Sequence, residues 1–331
     1  MKTYIFLATI IVLLLSGCST KEVFKPKNVS NDWKKYSYIE DDIVDITSDA
    51  ALLDNGKVLD KDGNVSKRTQ PKGQRVLSES NGWILTAAID GNLTATSTKT
   101  PQLVKHFALK RTIATAGIQD NILAVLFANN EIALYDTDSK ELLFKEQGGK
   151  ALANDIRIVQ PYFMNDLVIF STLDGKIIIV NSKLKKRLRT VIVSSADYFN
   201  NIIYFGIMGD KIIAASNSKV LALSQKEVRA KFEVRNMIHD NKYIYITTKQ
   251  GEVISLTPSL QVNSKVKFPF AHFLGMIQDD KNLYILEKEG YMIVVNKKTF
   301  DYTIHEVDFN DGLVFVTDKA FYVGDKKILI Q

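Results

Sequence analysis

The chain repeats one short sequence pattern eight times. Each copy usually starts at Asn or Asp and has two runs of alternating or β-branched residues on either side of a short turn. Such alternation is typical of β-strands, so each copy predicts a β-hairpin. The copies lie at 51–60, 82–97, 120–136, 165–181, 209–224, 240–257, 280–296 and 310–324.

The turns inside these copies are rich in Gly, Asn and Asp. These residues tolerate the positive φ angles of a type I′ turn, and Asn-Gly and Asp-Gly are the strongest hairpin signals of this length. The eight predicted turns are Asn55-Gly56, Asp90-Gly91, Asn129-Asn130, Asp174-Gly175, Asn217-Ser218, Gln250-Gly251, Glu289-Gly290 and Asp318-Lys319.

The spacing of the turns predicts the architecture. Positions 56 to 319 are covered in seven steps, a mean of about 38 residues, and propeller repeats of the WD type have a period of about 40–45. A four-stranded unit cannot bury both of its faces alone, but radial packing of neighbouring units buries them. The sequence therefore predicts an all-β chain, a β-propeller of four-stranded antiparallel blades. Eight blades are favoured, and seven is the alternative because the first hairpin is weakly apolar.

The two ends of the repeat region are expected to share one blade. Only residues 326–331 follow the last copy, and they can supply a single further strand. The segment Tyr38–Ile46 precedes the first copy and is predicted to add the missing strand, which removes an open sheet edge. The propeller is therefore expected to span 38–331.

The first eighteen residues have the organisation of an export signal. Lys2 precedes the apolar run Tyr4–Leu15, and Gly17 precedes Cys18, the only cysteine of the chain. Twelve apolar residues are too few to span a bilayer as a helix, which needs about 20, and they fit a secretory signal peptide. The end of this segment resembles the bacterial lipobox, and an ordinary signal peptide with a chance cysteine is the alternative.

The lipobox resemblance implies a membrane anchor. It implies removal of residues 1–17 by cleavage between Gly17 and Cys18, and acylation of Cys18. Ser19 in the next position suggests the outer membrane under the sorting rule of enteric bacteria, with the protein facing the periplasm. Residues 18–37 are then expected to be the lipid-bearing cysteine and a flexible tether, because the segment is polar and lacks periodicity.

Composition excludes several classes of function. With Cys18 acylated, no thiol remains for a disulfide, a thiolate metal site or a cysteine nucleophile. The chain has 43 Lys and Arg against 37 Asp and Glu, a net charge of +6 with both signs interspersed. Such a small excess of positive charge does not indicate nucleic-acid binding.

The second half of each hairpin carries a family resemblance. Gly, alternating apolar residues and a terminal Asp or Asn resemble the quinoprotein-type (PQQ-like) repeat over about 50–325, and the clearest copies are Gly175–Asn181, Gly251–Leu256 and Gly290–Asn296. Together with the lipobox, the chain resembles the BamB family of outer-membrane lipoproteins. That resemblance implies a scaffold without catalysis. It implies as partners the POTRA domains of the barrel-insertion subunit and unfolded outer-membrane proteins.

Two other functions are considered beside this scaffold interpretation, one a different kind of binding protein and the other an enzyme. The first is a propeller adapter of another envelope complex, or a surface lipoprotein that binds glycan or host protein. The second is a quinone-dependent dehydrogenase, which would need calcium, a catalytic carboxylate, a stacking Trp and a vicinal cysteine pair. The lone Cys18 excludes that pair, and Trp83 lies in a predicted hairpin strand. The sequence therefore predicts that the protein is not an enzyme and binds no cofactor.

The four histidines do not predict a metal site. His239, His272 and His305 follow one another at intervals of 33 residues, but they fall at different distances from the hairpin of their repeat. Neither these three nor His106 has the close pair spacing of a zinc site.

Two stretches are candidates for partner binding. The first is the basic run at 183–189, and its alternative is an exposed turn with an outer strand. The second is an aromatic loop at 268–273, for which packing between blades is the favoured alternative. Arg and aromatic residues are enriched in protein interfaces. The candidate residues are Lys185, Lys186, Arg187, Arg189, Phe268, Phe270 and Phe273.

Overall fold

The computed structural model describes residues 22–330, so the cleavage and lipidation positions Gly17 and Cys18 lie outside the described residues. The described residues form 31 strands in eight antiparallel sheets. Seven sheets have four strands and one has three. The prediction of an all-β propeller with eight blades is confirmed. Among residues 22–330, no helix has the length and apolarity needed to cross a membrane.

Strands are numbered in chain order, and β1 (Tyr36–Tyr38) precedes the first blade. Blade 1 contains β2 (Ile43–Ile46), β3 (Ala50–Leu53) and β4 (Val58–Asp60), and blade 2 contains β5 (Arg75–Ser80), β6 (Trp83–Ala87), β7 (Asn92–Ser97) and β8 (Val104–Ala108). Blade 3 contains β9 (Ile113–Gln119), β10 (Ile122–Phe127), β11 (Glu131–Asp136) and β12 (Leu142–Gln147), and blade 4 contains β13 (Tyr162–Met164), β14 (Leu167–Ser171), β15 (Lys176–Asn181) and β16 (Lys186–Ile192). Blade 1 is the three-stranded sheet, and a single bridge between Leu59 and Val65 stands where a fourth strand would pair.

Blades 5 to 8 continue the same pattern. Blade 5 contains β17 (Tyr204–Met208), β18 (Lys211–Ala215), β19 (Lys219–Leu223) and β20 (Glu227–Lys231), and blade 6 contains β21 (Val234–His239), β22 (Ile244–Thr248), β23 (Glu252–Leu256) and β24 (Val262–Lys267). Blade 7 contains β25 (Phe273–Gln278), β26 (Asn282–Glu287), β27 (Tyr291–Asn296) and β28 (Tyr302–Glu306). Blade 8 contains β29 (Val314–Val316), β30 (Ala320–Val323) and β31 (Lys326–Leu329), together with β1.

The first strand of each blade is the inner one. The first strands of neighbouring blades contact each other, as β5 does with β9 and β21 with β25. The middle strands are almost wholly buried because blades pack on both of their faces, whereas last strands such as β16 and β24 are mostly exposed. The core is therefore a ring of apolar layers between blades.

The ring closes with one strand from the N-terminal side. Blade 8 has the order β29, β30, β31, β1, and Tyr36 pairs with Ile328 while Tyr38 pairs with Lys326. The predicted closing strand at 38–46 is therefore wrong in position, because Ile43–Ile46 belongs to blade 1 as β2. The polar run Glu40-Asp41-Asp42 separates the two strands and forms their connection.

The eighth predicted hairpin is real but lies elsewhere in its blade. In the other blades the predicted turn joins the second strand to the third, whereas Asp318-Lys319 joins the first strand β29 to the second strand β30. The turn equivalent to the others in blade 8 is Gly324-Asp325, between β30 and β31. This difference explains why the last interval between predicted turns is short.

The segment predicted as a tether packs against the propeller in its described part. Phe24 is only 5% exposed, and its ring meets Phe268 and Tyr291 edge to face at 6.1 and 5.6 Å. The expectation that this segment buries little is wrong for Phe24 and Trp33, since the apolar side of blade 7 offers them a partner.

Backbone hydrogen bonds hold the same segment along β28. The Ser30 amide donates to the Ile304 carbonyl at 2.7 Å, and the Trp33 amide donates to the Glu306 carbonyl at 2.7 Å. The Trp33 indole Nε1 donates to the Leu329 carbonyl at 2.9 Å, which ties this segment to blade 8 as well. Residues 24–33 therefore cover the edge of blade 7 and reach the closing blade.

Candidate functional site

One face of the disc carries all connections between blades. Because strands alternate in direction, turns between second and third strands lie on the same side as the links from each outer strand to the next inner strand. We call this side the connector face. It consists of 39–42, 54–57, 66–74, 88–91, 109–112, 128–130, 148–161, 172–175, 193–203, 216–218, 232–233, 249–251, 268–272, 288–290, 307–313 and 324–325.

The most exposed apolar side chains lie on the connector face. The three most exposed large hydrophobic residues among those described are Ile89, Ile156 and Leu152, at 83%, 73% and 65%. All three lie on this face, as do Tyr198 and Phe199, which are more than half exposed. Exposed apolar residues that cluster in loops on a rigid scaffold are typical of interaction sites.

The longest connection reaches across the middle of the ring, and we call residues 150–160 the central strap. It links blade 3 to blade 4, yet the Ser48 hydroxyl of blade 1 donates to the Ile158 carbonyl at 2.9 Å. The Gln160 side-chain amide donates to the Glu79 carbonyl of blade 2 at 2.9 Å. Contacts with blades across the ring place the strap inside it, and no local sequence pattern predicts this.

Arg157 anchors the strap to blades 5 and 6. Its guanidinium donates to the Asn217 side-chain oxygen at 2.8 Å and to the Arg235 backbone carbonyl. It also forms an ion pair of 2.6 Å with Asp155. Burial acts to raise the pKa of the Asp155 carboxyl, but the hydrogen bonds and charge of Arg157 outweigh it and lower that pKa to about 2.

We expect Asp155→Asn to destabilise the protein at neutral pH and to leave it unaffected in acid. A carboxyl whose pKa is lowered by folding contributes stability above its unfolded value of about 3.9, and this contribution is lost as the pH falls through about 2. Thermal unfolding of both proteins from pH 7 to pH 2, followed by circular dichroism, measures this. The exposed Asp197→Asn is the control, and a constant difference between wild type and Asp155→Asn would contradict the expectation.

The strap is joined to the next connection, 193–203. The Phe199 amide donates to the Ala153 carbonyl at 2.8 Å, and the Asp155 amide donates to the Asn201 side-chain oxygen at 2.7 Å. The Asn201 amide group donates back to the carbonyls of Asp155 and Arg157, both at 3.2 Å. These bonds hold two loops side by side as one rigid unit.

Four exposed apolar side chains project from this unit: Leu152, Ile156, Tyr198 and Phe199, which we call the strap patch. Phe199 has φ of +50°, a conformation that costs an aromatic residue on the order of 1–2 kcal/mol. Strained residues are retained preferentially at functional sites. The strap patch is therefore the candidate site with the most support from geometry.

The basic stretch predicted as a partner site lies on the rim, in and just before the outer strand β16. Arg187 forms an ion pair of 2.6 Å with Glu146 of blade 3, and Arg189 forms one of 2.7 Å with Glu227 of blade 5. Lys185 lies in the turn before the strand, and Lys186 is exposed at its start. The two arginines therefore connect neighbouring blades. This stretch forms an exposed turn and an outer strand, the alternative that the sequence offered to a partner-binding site.

The aromatic loop divides into two buried rings and one exposed ring. Phe268 and Phe273 are 2% and 1% exposed, and their centroids lie 6.3 Å apart between blades 6 and 7. The interpretation of these two as partner-binding residues is wrong, because Phe268 also packs against Tyr302 at 4.9 Å. Phe270 is 59% exposed, with φ of +65°.

The histidines are dispersed. His106 hydrogen-bonds with Thr94, His239 with Tyr204, and the His305 ring donates to the Asn31 carbonyl. Within residues 22–330, no three side chains of the kinds that ligate metals come together. Trp83 packs partly buried against the apolar layer of blades 2 and 3.

Comparison with known proteins gives both sequence relatives and structural neighbours. No protein-family model matches the chain. The plasminogen-binding protein PgbB of Helicobacter pylori strain J99 is 27% identical over 89% of this chain and 63% of its own length. The PgbB protein of strain 26695 is 26% identical over 80% of this chain and 57% of its own length. The chain thus spans about three fifths of these relatives.

Solved structures share the architecture at low sequence identity. BamB from Moraxella catarrhalis has a TM-score of 0.66 and 12% identity, covering 89% of this chain and 96% of that one. The computationally designed Ika8 protein has a TM-score of 0.64 and 13% identity, covering 91% and 99% of the two chains. At these identities the similarity shows the fold alone: the chain is an eight-bladed β-propeller.

Proposed function

We propose that this chain is a lipid-anchored β-propeller of the cell envelope that binds protein, with plasminogen as its partner. The observation that carries the proposal is the sequence similarity to two proteins named for plasminogen binding, which extends over 80–89% of this chain. The similar region therefore includes most of the propeller. In this proposal, the acyl chains on Cys18 anchor the protein in the outer membrane. Because plasminogen is a plasma protein, the propeller must face outward to bind it.

The strap patch is the surface that we assign to the partner. Interfaces obtain most of their binding energy from a few central aromatic and aliphatic residues on rigid supports. Tyr198 and Phe199 are exposed aromatic residues, and the hydrogen bonds to the strap fix the backbone that carries them. Because hydrogen bonds already order these loops, binding of a partner does not cost the conformational entropy of ordering them.

The test is binding of the full acylated chain, in vesicles, to immobilised plasminogen. We expect Tyr198→Ser with Phe199→Asn to weaken binding about thirtyfold or more, since one hot-spot residue contributes about 2 kcal/mol. Asn accepts the positive φ at 199, so the loop should keep its shape. Ile89→Ser removes an even more exposed apolar residue of the connector face and should bind like wild type. No binding by wild type contradicts the partner, and unchanged binding by the double variant contradicts the patch.

A second candidate is the BamB-like scaffold of outer-membrane barrel assembly. The resemblance of the repeats and of the lipobox favours it, and the eight-bladed fold shared with Moraxella BamB is compatible with it. In that role the propeller faces the periplasm and binds the POTRA-bearing insertion subunit and unfolded barrel proteins. Affinity purification from gently solubilised envelopes, with Cys18→Ala in parallel, would enrich that subunit. Digestion of intact cells by external protease separates the two candidates, because only an outward-facing propeller is cleaved.

A further inference from the structure

A cleft of about 870 Å³ lies between the N-terminal segment and blades 6 and 7. Residues 22–30 form one wall, and the loop after β24 with the start of β28 forms the other. Its apolar lining includes Phe24 at the base, and Val23 and Phe270 at 37% and 59% exposure. The cleft thus combines a buried aromatic floor with exposed apolar edges.

Three exposed lysines surround this cleft. They are Lys25 and Lys27 on the N-terminal wall and Lys267 at the end of β24. Glu22 is the only acidic residue in the lining. Among the described residues, the ion pairs of this region do not include these lysines; the nearby pair joins Lys265 to Glu252. The cleft therefore presents a net positive charge beside exposed apolar groups.

The covalent chain places this cleft near Cys18. Glu22 follows Cys18 by four residues, and an extended chain spans at most about 3.6 Å per residue, so the two Cα atoms are within about 14 Å. The segment cannot move away from the propeller freely, because Phe24 is buried in blade 7. An acyl group on Cys18 thus holds this edge of the disc at the membrane surface.

We propose that this cleft is a docking surface for an anionic phospholipid membrane; the inference rests on the acylation of Cys18 proposed above. The lysines contact lipid phosphates, while Phe270 and Val23 enter the interfacial layer, as basic and apolar groups do in peripheral membrane proteins. The disc then stands on the rim of blades 6 and 7. In an eight-membered ring, blades 2 and 3 lie opposite and point away from the membrane.

Quenching of tryptophan by brominated lipids tests this orientation. Phe270→Trp and Ile89→Trp place an indole at the cleft and on blade 2, and wild type supplies the background of Trp33 and Trp83. The full acylated chain is reconstituted into vesicles of phosphatidylcholine and phosphatidylglycerol. We expect the added emission to be quenched at 270 and not at 89. Equal quenching at the two positions, or none at 270, would overturn the proposal.

Charge variants separate docking from anchoring alone. Lys25→Gln, Lys27→Gln and Lys267→Gln together should abolish the quenching at 270, whereas Lys67→Gln, Lys72→Gln and Lys110→Gln, on the opposite side, should preserve it. Persistence of quenching in the first triple variant counts against the lysine contacts. Mass spectrometry of the N-terminal peptide reports acylation separately. If the peptide is unmodified, the anchor fails, and coupling Cys18 of the cleaved chain to maleimide-bearing lipid tests the cleft by itself.

Discussion

Replacing Phe321 with alanine is expected to lower the free energy of unfolding by about 3–5 kcal/mol. Phe321 lies in β30 and is fully buried, within the apolar layer that joins blades 7 and 8. A Cβ on Gly275 of blade 7 would lie 3.0 Å from the Phe321 ring, so the two blades approach very closely here. The backbone cannot collapse into the space that the ring would vacate, because the sheets on both sides are rigid.

Urea titration followed by circular dichroism measures this loss. The matched control is Phe270→Ala, which removes the same side chain from an exposed loop and should change stability by no more than about 0.5 kcal/mol. A loss below about 1 kcal/mol for Phe321→Ala would mean that the layer between blades 7 and 8 repacks, contrary to the close contact described above.

Substituting alanine for Gly251 is expected to lower the free energy of unfolding by about 2–5 kcal/mol. Gly251 has φ of +76°, which costs other residues about 1–2 kcal/mol. In addition, its new Cβ would lie 2.2 Å from the Phe268 carbonyl oxygen, a backbone atom that cannot rotate away. Relief of such overpacking typically costs about 1–3 kcal/mol. The hydrogen bond from the Phe268 amide to the Gly251 carbonyl, at 2.7 Å, would be strained as well.

Gly209→Ala isolates the two contributions. Gly209 also has a left-handed conformation, with φ of +60°, but nothing lies within 4 Å of the position that a Cβ would take. This variant should therefore show only the conformational cost, about 1–2 kcal/mol. Equal losses for Gly209→Ala and Gly251→Ala would show that the contact with Phe268 contributes nothing.

Local sequence patterns predicted most of the fold. Alternation and turn chemistry act over a few residues, so the hairpins and their Gly and Asn turns could be located without tertiary information. The turn at Asn129-Asn130 illustrates this, since Asn130 takes φ of +65° in place of a glycine. The fully buried Asn130 side chain also accepts a hydrogen bond from the Leu173 amide at 2.9 Å, a contact between blades that no local pattern reveals.

The ends of the chain were harder to predict, because their structure depends on partners far away in sequence. Phe24 and Trp33 stand in a polar segment without periodicity, and only the edge of blade 7 makes them part of the core. Similarly, Tyr36–Tyr38 is a strand because β31 offers it an edge, although the segment nearer to the first hairpin has the stronger alternation.

The candidate site was largely beyond sequence reasoning. The central strap has no repeat pattern, and its signal was indirect: the interval from the turn at Asn129-Asn130 to that at Asp174-Gly175 is the longest of the seven. Exposure also cannot be read from composition. Three phenylalanines occur within six residues, yet only Phe270 remains on the surface once blades 6 and 7 pack.

The closure of blade 8 determines the order in which the protein can fold. In the export that we propose, the N-terminal side emerges from the membrane first, so β1 emerges about 290 residues before its partner β31. Until almost the whole chain has emerged, β1 has no edge to join and the ring stays open. Contacts of such long sequence separation form slowly. Completion of the ring is therefore expected to be a late step, during which the unpaired edge of β31 and the uncovered strand β1 are exposed to chaperones and proteases.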